Sequence, residues 1–420
     1  MAGDRACGIL VSRYPSVTHT FVRNEVAALR ALGWRIETAS VRRTGSADAP
    51  SPADRAEQAA TYALLPASPA ALIAAHLRAL VRGPGAYVRT LAHALRLAPA
   101  PGRKRLWQLF YFGESMLAER WMRRRGLEHL HVHHANVSAD VALLACHYAR
   151  LTGRAWTWSL TLHGPTEFAD VAAHNLPAKI AAADAVVCIC DYVHAQVLAL
   201  ADEEAAARTT VVRVGIDVGA FSVAARSTGS RPVILCVGAL SRRKGHAVLL
   251  DAFAAVRARG VDAALVLVGD GAERGRLEAQ AARLGIAADV TFAGAVGHDR
   301  IVGEHYARAD VFCLASFMEG LPTVLMEAMA AGVPVVATNA MGTAELVRDD
   351  STGLLVAPAR ADELAAALER LLGDAELRAR LAEAGRAVVQ AEHDVHVSAQ
   401  RLSGVLARCE GTAASRTVAA

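Results

Sequence analysis

Lysine is almost missing from this chain of 420 residues: it occurs only at Lys104, Lys179 and Lys244, so 42 of the 45 cations are arginines. Such a bias reflects a GC-rich coding sequence more than a function, yet each retained lysine is informative, because arginine cannot supply a compact ammonium. An excess of either charge is also missing. The 45 basic and 41 acidic residues leave a net charge of +4, which excludes a chain that binds nucleic acid over its whole surface; an anionic partner has to be met locally. No C-x-x-C pair occurs among the seven cysteines, so buried thiols in a reducing compartment are expected, and the cytoplasm fits. The start, MAGDRACGILVSRYP, lacks the basic stretch, apolar core and cleavage site of a secretory signal, and export is not expected. The longest uncharged run, Gln58 to Leu77, is interrupted by Pro66 and Pro69 and carries Thr61, Tyr62, Ser68 and His76, a poor membrane span.

What is present is apolar and ordered. Hydrophobic residues make up 53 % and charged residues 20 %, which excludes the disordered class, and the length allows two or three domains at about 150 residues each. Gly8 to Ser12, a helical pattern from Phe21 to Leu32 closed by Gly33, and Arg35 to Val41 read as βαβ, the opening of a parallel sheet. Residues 57 to 125 read as helices without strand signals. Four β-type runs follow, at His129 to His133, Trp156 to Leu162, Ala185 to Cys190 and Thr210 to Val214. The chain turns small and polar at Ala224 to Pro232, a linker by composition. A second α/β series starts at Val233 to Val237 and continues at Ala264 to Val268, Val290 to Phe292, Val311 to Leu314, Val333 to Ala337 and Gly353 to Val356. The pattern predicts two doubly wound α/β units, 1–223 and 233–390, a helix 391–410 that returns to the first unit, and a frayed tail 411–420.

The most specific segment is Ser316 to Thr338, SFMEGLPTVLMEAMAAGVPVVAT. Glu319 and Glu327 are separated by seven residues, and Gly320, Leu321 and Pro322 form a turn into a helix that begins near Thr323. Free N–H groups at a helix start form an anion site suited to phosphate, and Glu327, one turn in, is placed to accept hydrogen bonds from two ribose hydroxyls. The alternative for either glutamate alone is an acidic first turn on the surface. Lys244, in Gly238-Ala-Leu-Ser-Arg-Arg-Lys-Gly245, stands at another helix start, where a cation is unfavourable unless an anion is bound.

The string 316–338 resembles the signature of glycosyltransferase family 4. So do Val237 to His246, Val268 to Gly271, Phe292 to Gly294 and Tyr306 to Asp310, in order and spacing, and more weakly Tyr14 to Glu25, His131 to His133, Thr161 to Gly164 and Val214 to Asp217. The resemblance implies a GT-B fold, two Rossmann-like doubly wound domains with an interdomain cleft. It also implies a retaining transfer from a nucleoside-diphosphate sugar to a saccharide, lipid-linked or small-molecule acceptor, in polysaccharide or glycoconjugate biosynthesis. It gives Lys244 the donor diphosphate, Glu319 the orientation of the sugar, His163 a contact to the donor sugar, and Gly238, Arg243, Gly320, Leu321, Pro322, Thr323 and Glu327 roles in donor binding. Where the family carries arginine after the first glycine, this chain has Ala239, and Arg242 or Arg243 is the nearby replacement. The scheme needs no metal and no cofactor, and no Asp-x-Asp ligand pair occurs. A GT-B epimerase or phosphorylase, and a sugar-nucleotide-binding scaffold without catalysis, remain as alternatives.

Three further features have bland readings. Gly269, Gly271 and Gly275 follow a strand, but it is the second of its unit and Gly294, not an acid, ends the next, so a dinucleotide site is not supported. His129, His131 and His133 share a strand face without cysteine or carboxylate partners at zinc spacing, and packing is preferred, as it is for Cys188 and Cys190. The basic and aromatic stretch from Arg103 to Arg125 reads equally as a docked amphipathic helix or as a peripheral contact with the inner face of the plasma membrane.

Overall fold

The computed structural model describes residues 5–16, 20–49, 51–98, 103–223, 231–298 and 301–418, of which 103–105 and 411–418 as backbone only. The chain forms two compact units, one of residues 1–213 with 398–420 and one of residues 214–397. Each is built on an all-parallel sheet, as the near-continuous apolar strands require, since both faces of such a sheet are covered by crossover helices.

The first unit holds seven strands: β1 (Ala6–Arg13), β2 (Arg35–Arg42), β3 (Tyr62–Leu65), β4 (His129–His133), β5 (Thr157–Leu162), β6 (Ala185–Cys188) and β7 (Thr209–Val211), in the spatial order β3-β2-β1-β4-β5-β6-β7. Ile9, Leu10 and Val11 of β1 are fully buried, as are Leu160 and Leu162 of β5. β3 corrects the all-helical reading of 57–125: it pairs with β2 through Ala39↔Tyr62 and Ser40↔Ala63 at the sheet edge. Four residues carry too little periodicity to be told from a helical fragment.

The second unit holds six strands, β8 (Val233–Val237), β9 (Ala264–Val268), β10 (Val290–Gly294), β11 (Val311–Leu314), β12 (Val335–Thr338) and β13 (Leu354–Val356), in the order β10-β9-β8-β11-β12-β13. Its core gathers Ile234 and Cys236 of β8, Leu265 and Leu267 of β9, and Leu249 and Phe253 of the helix His246–Ala258. In both sheets the order of strand addition reverses between the first and fourth strands, so that β1 lies parallel beside β4 and β8 parallel beside β11. At such a reversal the two neighbouring strands send their following loops to opposite faces and leave a crevice at their carboxyl ends.

Of the expected linker, 224–230 lie outside the described residues. Residues 214–223 pack within the second unit, where Ile216 N donates to His393 O at 2.9 Å and Val395 N to Ile216 O at 2.8 Å. Helical backbone runs from Val395 to Val418, past Gly411, where fraying is expected from composition; without a proline, an established helix continues at one bond per residue fixed. The helix Arg103–Arg125 divides into two parts. Phe112, Met116, Leu117 and Trp121 are buried, and Arg123 pairs with Glu119 and lies over the Trp156 ring at 5.5 Å, so its second half is docked on the unit. Leu106, Trp107, Leu109 and Phe110 of the first half are exposed.

Candidate active site

The residues singled out in the second unit come from the loops after β8 and β11, the two strands at the reversal. After β8, Gly238 N donates to Val268 O and Leu240 N to Asp270 O, both at 2.9 Å, and Arg242–Lys244 make one 3₁₀ turn. Gly245 then takes φ +66°, and a Cβ there would stand 1.9 Å from Ala315 O, so only glycine lets the turn seat against the end of β11. Gly269 does the same beneath Gly238: at φ +137°, its Cβ would lie 2.0 Å from Gly238 O. The glycines after β9 therefore serve backbone contact within the unit, in line with the weak dinucleotide reading.

The two loops meet through charge. Lys244 Nζ lies 2.6 Å from Glu319 Oε1, and the side chains are 14 % and 7 % exposed. Arg243 Nη1 donates to Met318 O at 3.0 Å and stands 3.6 Å from Glu319 Oε2, while Phe317 N donates to Arg243 O at 2.8 Å. Arg242 turns away, 83 % exposed and 3.5 Å from Glu273. Of the two arginines near Ala239, Arg243 is the one at Glu319.

The helix Thr323–Ala330 follows directly, with Pro322 at its cap and no side chain capping it. Leu325 N turns back to Pro322 O at 3.1 Å, while the amides of Thr323 and Val324 have no acceptor among the described residues. Leu321 is buried, and Gly320 and Leu321 bring the chain from Glu319 to this amide-rich end. Glu327 lies inside, not on the surface. It is 5 % exposed, accepts from Tyr306 Oη at 2.9 Å, and has His298 Nε2 at 3.1 Å. Burial, and then the charge of Glu327, push the Tyr306 phenol well above its ordinary range, so it stays a donor.

His246 begins the helix after Gly245. It is 2 % exposed, and neither ring nitrogen has a hydrogen-bond partner among the described residues. Burial, helped by the charge of Lys244, lowers its pKa to about 4. A cavity of about 340 Å³ lies beside this turn, lined among others by Ser241, Arg242, His246, Glu273, Arg276 and Phe317.

His163 belongs to the first unit, just past β5. Its Nε2 is 3.0 Å from His133 Nδ1, its ring centroid 4.8 Å from that of Phe21 and 4.3 Å from that of His134. Glu167 fixes the backbone: Oε2 accepts from His163 N at 2.6 Å and Gly164 N at 2.9 Å, and Oε1 from Ala135 N at 2.7 Å. Glu25, His131 and His133 approach one another within 4.8 Å, the metal-like cluster of the described residues. The donor set does not fit an ion, because His131 has Nδ1 on Ser159 Oγ at 2.7 Å and Nε2 on Thr161 Oγ1 at 3.0 Å. Burial lowers the His131 pKa to about 3, and His129 is held likewise by Thr157 and Ser159. All seven cysteines, Cys188 and Cys190 among them, are free and buried.

Three residues of these sites escape sequence reasoning. Tyr306 and His298 lie 21 and 29 positions before Glu327, with no spacing rule to link them. Glu167 had a signal: an acid three residues after Gly164 at a helix start supplies one half of a capping box, its carboxylate accepting from the Gly164 amide.

Residues 221–388 match the family model described as Glycosyl transferases group 1. A GDP-mannose-dependent alpha-(1-6)-phosphatidylinositol monomannoside mannosyltransferase of Mycobacterium tuberculosis is 38 % identical over 185 residues, 42 % of this chain and 48 % of that protein. An alpha-D-kanosaminyltransferase of Streptomyces kanamyceticus is 34 % identical over 175 residues, 42 % of this chain and 45 % of that protein. The chain thus spans about half the length of the curated relatives it matches. Among solved structures, a sucrose-phosphate synthase from Thermosynechococcus elongatus superposes with a TM-score of 0.73 at 21 % identity, over 97 % of this chain and 100 % of that one. Anabaena Alr3699/HepE in complex with UDP superposes with 0.71 at 18 % identity, over 96 % and 100 %. The fold is GT-B, with two Rossmann-like domains.

Proposed function

We propose that this chain, whose residues 221–388 match the family model described as Glycosyl transferases group 1, transfers a glycosyl group, with retention, from a nucleoside-diphosphate sugar to a saccharide or lipid-linked acceptor in the cytoplasm. The observation that carries the reading is the pair Lys244–Glu319 at 2.6 Å, held across the sheet reversal beside the free amides of Thr323 and Val324. As the anomeric C–O bond breaks, its electron pair goes to the diphosphate oxygen. Lys244, Arg243 and those two amides stabilise the charge that grows there. The acceptor oxygen bonds to the anomeric carbon from the same side, and its proton passes to the departing phosphate oxygen. Glu319 orients the sugar, and Glu327, backed by Tyr306 and His298, takes the ribose hydroxyls. For His163, the sugar-contacting role rests on the resemblance alone. The first unit is the acceptor half and the second the donor half.

The test is a panel of nucleoside-diphosphate sugars, including GDP-mannose and UDP-glucose, scored by melting shift, by release of nucleoside diphosphate and by the anomeric configuration of the product. One donor should raise the melting temperature and yield an axial product where its own linkage is axial. A melting shift without turnover would leave a binding scaffold, an epimerised nucleotide an epimerase, and no shift with any donor would overturn the reading.

A further inference from the structure

Three consecutive helices of the first unit, Pro69–Arg82, Pro84–Arg96 and Arg103–Arg125, pack on one another through their inner faces. His76 Nδ1 is 2.8 Å from Tyr87 Oη, and Phe112 closes on both rings, with centroids at 5.7 and 5.0 Å. Their outer faces are apolar as well. Of the 17 large apolar side chains exposed among the described residues, 11 lie between Leu72 and Phe110. Ile73, Leu77 and Val81 recur at every fourth position along one helix face; with Val88, Trp107 and Phe110 they are 45 to 83 % exposed. Apolar side chains scattered singly over a surface need no cause, but a concentration on adjoining helices marks an interaction surface.

The charge around them is one-sided. From Gln58 to Gly113 there is no aspartate or glutamate, where the chain's average would place about five, and there are seven cations: Arg78, Arg82, Arg89, Arg96, Arg103, Lys104 and Arg105. Arg78, Arg89 and Arg96 are exposed and make no ion pair among the described residues.

We propose that the outer face of these helices, formed by residues 69–82, 84–96 and 106–110, docks on a membrane surface bearing anionic lipid headgroups. Aliphatic and aromatic side chains enter the headgroup boundary while arginines on the same helices reach phosphates, the pattern of an interfacial helix. None of the described helices is long and apolar enough to cross a membrane, and the proposed contact is with the surface of the bilayer. A second copy of the chain is a poorer occupant, since it would set one carboxylate-free basic face against another. The face shares the first half of the helix with the contact expected over Arg103 to Arg125 and extends it to the two preceding helices; the second half takes no part, since Arg123 there is only 16 % exposed and already paired with Glu119.

Flotation of the purified chain with vesicles of phosphatidylcholine, with and without phosphatidylglycerol, tests this. The chain should float with the anionic vesicles and be released by salt. Replacing Arg78, Arg89 and Arg96 together by glutamine should lower the partition coefficient about fivefold per residue, on the order of a hundredfold in all. Ile73→Ser with Leu77→Ser and Val81→Ser should lower it tenfold or more at unchanged charge. Unchanged melting temperatures would show both variants folded, and unchanged donor-induced melting shifts would keep this outcome separate from the transfer reading. The inference fails if the wild type floats with neither vesicle, or if both variants float as it does. It fails equally if the wild type is a dimer in solution that the apolar variant dissociates and that ignores lipid.

Discussion

Lys244→Met tests the ion pair on which the proposed chemistry rests. Methionine keeps an unbranched stem of similar length, as the site requires, because the Lys244 methylenes lie 3.7 to 3.9 Å from where a Cβ on Gly238 would stand. What is lost is the ammonium 2.6 Å from Glu319 Oε1. Removing one partner of a buried pair costs about 3–5 kcal/mol, mostly through the charge left behind. Arg243, 3.6 Å from the second oxygen, retains part of the compensation, so about 2–3 kcal/mol is expected here. Glu319→Gln leaves the lysine a neutral acceptor and should cost about 1–2 kcal/mol. The double variant should fall short of the sum by about 1–2 kcal/mol, the coupling of groups in direct contact. Native-state hydrogen exchange at Val233–Val237 and Val311–Leu314, the strands that carry the two loops, measures this in the intact chain without a donor. With a donor, Lys244→Met should lower kcat by about 10²–10³ and change KM less, because the diphosphate gains charge only as the bond breaks. Lys244→Arg should restore turnover in part, since a planar fork does not occupy the place of a compact ammonium. Strictly additive stabilities together with wild-type turnover would refute the assignment.

Two further outcomes follow from the same unit. Glu327→Ala leaves the buried Tyr306 hydroxyl without its acceptor, so the unliganded chain should lose about 1–3 kcal/mol of stability and nucleotide affinity should fall at least about tenfold; calorimetry with the nucleoside diphosphate checks it, and unchanged affinity would remove the ribose role. His246 has a folded pKa of about 4 against 6.5 unfolded, so its neutral form stabilises fully above pH 6.5 and that contribution is lost as pH falls towards 4. His246→Leu should therefore be less sensitive to acid over that window by on the order of 3 kcal/mol, read from urea midpoints at each pH, and parallel profiles would show that the ring is not buried neutral.

The second unit was legible because its strands are apolar runs of ordinary length and its loops carry glycines that the backbone needs, as Gly245 and Gly269 show at 1.9 and 2.0 Å from carbonyl oxygens. Lys244 stands out by composition and position, whereas Glu319 stands out only through the resemblance of the string 316–338. That they meet depends on β8 and β11 being neighbours, which a one-dimensional pattern does not state. Arg242 and Arg243 are indistinguishable in sequence and differ only in which way a single 3₁₀ turn points them. Glu327 looked like a surface carboxylate or a ribose ligand because its partners come from 21 and 29 residues upstream. In the first unit β3 was too short to register. The carboxylate-free stretch 58–113 stood in plain view, but a run without acids acquires meaning only once the faces turned outward are known to be apolar.

The helix Val395–Val418 has a consequence for how the chain comes into being. From Ser398 onward it belongs to the first unit: Ala6 N donates to Glu410 Oε1 at 3.3 Å across 404 positions, and Trp34 Nε1 to Ser403 Oγ at 2.9 Å across 369. Leu402, Leu406 and Cys409 are buried there. At ribosomal rates of about 5–20 residues per second, Ala6 of β1 and Trp34 beside β2 wait roughly 20–80 s for the helix they bond to. During that interval the whole second unit, one unbroken segment, emerges and can fold. Assembly is thus nested: the unit begun first is completed last, and a fault that stalls the inner unit leaves the outer one open to aggregation.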